Sequence, residues 1–182
     1  MAVRDVILYA ENETALRRKS EPVRRVNQPI RKLVKDLKDT LAYQPEGIGL
    51  AAPQIAVHRR VVVVRLGARS DHQREPSSPV ALINPQITET GHEEKDFDGC
   101  LSFPGLYAET VRPHLLHVTG LDEWGGPFEC IFGGFDAVVV HHEIDHLDGV
   151  LFIDRVERLE ELYQVRVDNG HLVRVPVSVI RA

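Results

Sequence analysis

Several broad classes are excluded by what this chain has little of. Only two of its 182 residues are cysteine, Cys100 and Cys130. A disulfide framework of the kind that staples small secreted domains is therefore ruled out, and each cysteine reads as a ligand or a free thiol, with Cys130 assigned to packing. Nowhere do roughly 20 consecutive apolar residues occur, which leaves no candidate membrane span. The start MAVRDVILYAENE lacks an apolar run long enough for a signal peptide, so the expectation is a cytoplasmic protein with no membrane partner. An excess of positive charge is missing too. Against 22 Lys and Arg stand 27 Asp and Glu, a formal net charge of -5, which argues against DNA or RNA as the main ligand because phosphate neutralisation needs a basic surface. One local exception, Arg17, Arg18, Lys19, Arg24 and Arg25, reads as a solvated charged face, and ribosome contact there stays open.

What is present is ordinary for a globular protein: 43% hydrophobic and 27% charged residues. A chain of this length can bury about 70% of its unfolded surface, enough for one core that holds a rigid site. We read residues 1–182 as a single domain, with no internal repeat or low-complexity tract.

Ile30, Leu33, Val34, Leu37 and Leu41 recur at three- and four-residue spacings, with Asn27 placed to cap and Pro29 in the first turn. This predicts an amphipathic helix from Asn27 to Ala42. Val61 to Leu66, Val80 to Asn84, Gln86 to Thr90 and Leu115 to Leu121 read as strands, the middle two interrupted at Pro85, and Gly67 to Pro79 reads as a loop. A second helix is expected from Phe135 to Leu147 with Gly149 as its stop. Beyond it the pattern suggests a strand over Val150 to Ile153, a short helix over Glu157 to Gln164, and a hairpin turning at Asn169-Gly170. The fold class is α+β: mainly antiparallel β-sheets around a central helix, with an N-terminal amphipathic helix.

That central helix carries His142-Glu143-Ile144-Asp145-His146, an HExxH pattern. Residues at i and i+4 share a helix face, so His142 and His146 can bind one metal ion while Glu143 reaches a water on it. Alone, the pattern leaves a metal site and a chance pair of histidines about equally good. A catalytic ion of this kind needs a third protein ligand and an open position. Cys100, in Asp98-Gly99-Cys100-Leu101-Ser102, is the best candidate, although an isolated cysteine is more often a small buried apolar residue. In Gly47-Ile48-Gly49-Leu50-Ala51-Ala52-Pro53-Gln54 the glycines permit close backbone approach and Gln54 offers an amide donor for an oxyanion. A tight turn with an exposed glutamine explains that segment equally well. A zinc endopeptidase, with Glu160 or Glu161 as third ligand, is a further reading, though the extended protease pattern would have histidine where Phe152 stands. So is a binding module that has lost turnover.

GIGLAAPQ, DGCLS and HEIDH, in this order and at these separations, resemble the three signature motifs of the peptide deformylase family, and the likeness extends from about residue 5 to 157. The resemblance implies removal of the formyl group from formyl-methionyl nascent peptides. It implies Cys100, His142 and His146 as metal ligands, Glu143 as general acid/base, and Gln54 with the Leu101 N–H at the oxyanion. Gly49 is expected to align the peptide, while Ile48, Val138 and Val139 receive the methionine side chain. Arg112 is expected to pair with the acid ahead of the cysteine. One divalent ion is implied, Fe2+ natively, with Zn2+, Ni2+ or Co2+ able to substitute. Two departures stand out: Asp98 is one methylene shorter than the family's usual glutamate, which puts its reach to Arg112 in question, and the hairpin replaces a helical tail.

Overall fold

A computed structural model describes residues 2–67, 78–168 and 171–177. Four consecutive valines explain much of its layering. Val61–Val64 form β2, and because side chains alternate along a strand, Val61 and Val63 point to one side of the sheet and Val62 and Val64 to the other. All four are fully buried, each worth about 1.5–3 kcal/mol relative to exposure. On one side they meet Leu33, Val34, Leu37 and Leu41 of α2 (Gln28–Ala42); on the other, Ala137, Val140, Ile144 and Leu147 of α3 (Phe135–Leu147). β2 is thus a partition shared by two cores, and a charge at Val62 would break the α3 side.

The partition belongs to an antiparallel sheet of order β1-β2-β3-β6-β7, built from β1 (Gly49–Ala51), β2, β3 (Val80–Thr90), β6 (Leu115–Leu121) and β7 (Pro127–Gly133). A second sheet, of order β4-β5-β8-β9, joins β4 (Glu93–Gly99), β5 (Tyr107–Pro113), β8 (Tyr163–Asp168) and β9 (His171–Pro176). A short helix α1 (Tyr9–Arg17) packs against the 3-10 turn Ala52–Ile55. Its last residue pairs with Glu13 and Asp154, which ties Arg17 into the fold, while Lys19, Arg24 and Arg25 remain exposed.

The two long helices begin and end for the reasons their sequences suggest. Asn27 accepts a hydrogen bond from the Ile30 N–H at 3.2 Å. Gly149, at φ 75°, takes the left-handed geometry that ends α3; a Cβ there would lie 2.7 Å from the Arg17 carbonyl carbon. Four expectations are corrected. β3 runs through Pro85 as one strand, because Asn84 at φ 52° makes a bulge that leaves no ladder bond for proline to donate. The Asn84 side chain uses that bulge to pin the Val23 backbone at 2.8 Å. Val150 to Ile153 is not a strand: Asp154 accepts from the Leu151 N–H and draws Phe152–Arg155 into a 3-10 turn. Only Leu159–Glu161 is helical in the next segment, again as 3-10, before β8 begins at Tyr163. Cys130 does not pack inside; it is exposed on β7, and both cysteines are free thiols. β8 and β9 pair as the expected hairpin, whose Asn169-Gly170 turn lies outside the described residues, as does most of the loop expected over Gly67 to Pro79.

Candidate metal centre

α3 is buried on all sides from Ala137 to Leu147, but its sides differ in chemistry. Its apolar stripe faces the five-stranded sheet, while His141, His142, Asp145 and His146 turn to the sheet that carries Asp98 and Arg112. The rings of His142 and His146, one turn apart, have centroids 5.0 Å apart. β4 ends at Gly99, so the next residue, Cys100, leaves the sheet just where these rings stand. Its sulfur lies 3.3 Å from His146 Nε2, and donor atoms of Cys100, His142 and His146 all fall within 4.8 Å of one another. Tetrahedral coordination with metal–sulfur and metal–nitrogen bonds of about 2.3 and 2.0 Å sets donors roughly 3.5 Å apart. The three ligands therefore fit an ion, and they are the one such group among the described residues.

The ligands are oriented from behind. Asp98 Oδ1 lies 2.7 Å from His142 Nδ1, which leaves Nε2 for the ion. Asp98 Oδ2 accepts from Arg112 Nε and from Thr110 Oγ1, each at 2.8 Å. The register explains this: Asp98 pairs with Ala108, so Thr110 and Arg112, two and four residues on, present side chains to the same face. The shorter acid thus does reach the arginine. Burial works against the charge of Asp98, but His142 and Arg112 override it and hold the carboxyl below the usual range. Burial lowers His141 to about 4, so its Nδ1 is free to accept from the Arg112 guanidinium at 2.7 Å.

In front of the ligands lies a cavity of about 350 Å³. Ile48, Gly49, Leu101, Val138 and Val139 line it, together with the aromatic rings of Phe97 and Phe135, which the sequence reading did not single out. Glu143 lines it as well, buried, with Oε2 unpartnered among the described residues, and burial pushes its carboxyl up to about 7. Gly49 is where the backbone must come close: a Cβ there would stand 2.7 Å from the Glu143 carboxyl carbon. Gln54 is held by both ends of its amide. Oε1 accepts from the Ala51 N–H at 2.8 Å, and Nε2 lies 3.2 Å from Ser102 Oγ and 3.5 Å from Cys100 Sγ. Rather than an exposed glutamine in a turn, this is a buried donor beside the thiol.

Glu161, offered above as a protease ligand, is engaged with Arg158 and Lys95, and buried Phe152 stacks 6.5 Å from the His142 ring. Asp145, Arg155 and Thr110 were missed in the sequence because their partners lie on other elements.

A family model described as Polypeptide deformylase matches residues 4–162. The chain is 41% identical over 155 residues to a peptide deformylase of Aquifex aeolicus (strain VF5), covering 85% of this chain and 88% of that one. Among solved structures, it is similar to a peptide deformylase from Ehrlichia chaffeensis, with TM-score 0.79, 32% identity and coverage of 88% and 91% of the two chains. It is likewise similar to one from Thermotoga maritima, with TM-score 0.76, 32% identity and coverage of 87% and 100%.

Proposed function

The chain belongs to the polypeptide deformylase family, and from that premise we infer how its residues remove the N-terminal formyl group of nascent peptides and release formate. It is a metallohydrolase with the site Cys100, His142 and His146. The observation that carries the reading is the convergence of three distant segments: one thiol and two imidazoles beside a buried carboxylate, open to an apolar cavity.

When bound, the ion supplies Lewis acidity, polarising the formyl oxygen and making a nucleophile available from water near neutral pH. Thiolate and imidazole suit ferrous iron and zinc alike; ferrous iron is the native ion we propose, from the likeness to the family. Glu143 acts as general base toward the attacking water and then as general acid toward the departing amine. A carboxyl raised to about 7 is poised for both. Gln54 Nε2 and the Leu101 N–H donate to the oxygen that becomes negative, a contribution of about 10²–10³ in rate per donor. The Gly49 backbone aligns the peptide, and Ile48, Val138 and Val139 take the methionine side chain. Asp98, fixed by Arg112, holds His142 in the orientation the ion needs.

The test is a formate-release assay on a formyl-methionyl tripeptide with metal-loaded protein. Turnover is expected on that peptide and none on its unformylated counterpart, and Cys100→Ala should lose bound metal together with activity. Peptide-bond cleavage of the unformylated substrate, or full metal retention in Cys100→Ala, would overturn the reading.

A further inference from the structure

Arg112 is fully buried, and it faces two carboxylates: Asp98 through Nε and Asp145 through Nη1, both at 2.8 Å. One guanidinium cannot balance two buried carboxylates. The second positive charge comes from Arg155, at the end of the 3-10 turn Phe152–Arg155, eight residues past the last residue of α3. Its Nε donates to Asp145 Oδ2 at 2.9 Å and its Nη2 to Oδ1 at 2.7 Å, a forked pair that holds both carboxylate oxygens. Its own side chain is 35% exposed, so the chain of contacts runs from solvent to the metal ligand: Arg155, Asp145, Arg112, Asp98, His142.

We propose that Arg155 is a positioning residue for the metal centre: by holding both oxygens of Asp145 it weakens that carboxylate's pull on the Arg112 they share, keeps Arg112 Nε on Asp98, and so fixes the orientation in which His142 meets its ion. Without the clamp, Asp145 has only Arg112 as a cationic partner and competes with Asp98 for it. Asp98 then holds the His142 ring less firmly, although it touches neither substrate nor Arg155. Outer partners of metal-binding histidines typically alter metal retention by about 10–100-fold, and an effect three contacts further out belongs at the lower end.

The inference rests on the reading of Asp98 given above, and the experiment separates the two. Co2+-loaded protein is mixed with excess chelator, and ion release is followed by the loss of the thiolate-to-cobalt absorption, alongside the spectrum of the loaded variants. Arg155→Met should release Co2+ about tenfold faster and shift the cobalt bands. Arg155→Lys, which keeps the charge without the fork, should fall between it and the parent; should the methionine variant fail to fold, this one still decides the matter. Arg158→Ala, which removes a neighbouring surface ion pair with Glu161, should match the parent. Parent-like release from Arg155→Met or Arg155→Lys, or acceleration in Arg158→Ala as large as in Arg155→Met, overturns the proposal. If Asp98→Asn also releases Co2+ at the parent rate, the reading of Asp98 falls with it; if Asp98→Asn is fast while the Arg155 variants are not, only the role of Arg155 falls.

Discussion

Behind the two histidines Asp98 has His142, Arg112 and Thr110 as partners, whereas in front of them Glu143 has one oxygen with no partner among the described residues. Both carboxylates are buried, at 5% and 4% exposure, so burial alone does not separate them. Partners do: the first is held below the usual carboxylate range and the second is pushed up to about 7. On the reading proposed above, the same functional group serves as a fixed strut on one side and a proton carrier on the other, according to what surrounds it.

Neutralising each acid by its own amide puts this contrast to the test. Glu143→Gln should lower kcat/KM for a formyl-methionyl peptide by about 10²–10⁴, with metal content unchanged. Its thermal midpoint should hold or rise, since an uncompensated buried carboxylate has been removed. Near-normal turnover would take Glu143 out of the chemistry. The same change in Asp98→Asn should act on retention, with metal lost to a chelator about 10–100-fold faster. It should also destabilise, toward the lower end of about 3–5 kcal/mol because Asp145 still faces Arg112, as read by denaturant unfolding. A stable, metal-tight Asp98→Asn would erase the distinction between the two sides. The smallest effect is expected from Thr110→Val, which removes one of three partners of Asp98. About 1 kcal/mol of stability should go, and metal release should stay at the parent rate.

Where order along the chain sets structure, the sequence was readable. α2 follows from its apolar spacing and the Asn27 cap, and α3 runs over Phe135–Leu147 as expected. The three metal ligands were legible because two share a helix face and the third sits in a motif of recognisable company. β4, β5 and β7 were not. Their faces carry no apolar alternation to read: β4 opens on Glu93, Glu94 and Lys95, β5 buries Thr110 and Arg112, and β7 leaves Ile131 exposed, so that pairing with the neighbouring strand sets their geometry. Val150 to Ile153 has the apolar character of a strand, yet the Asp154 side chain competes for its backbone and wins. Thr110, Asp145 and Arg155 are ordinary polar residues until strand register and the turn after α3 bring them to Asp98 and Arg112. No local pattern announces such a meeting.

The sealed character of α3 also governs traffic. His146 is 1% exposed, and among the ligands it is Cys100 and His142 that open onto the cavity, beside Glu143. On the reading proposed above, an ion would come and go by the doorway that admits the peptide. A seated methionyl chain would then be a stopper as well as a reactant, expected to shield thiol and ion from chelator and oxidant alike. The centre should be most vulnerable in the interval between one customer leaving and the next arriving.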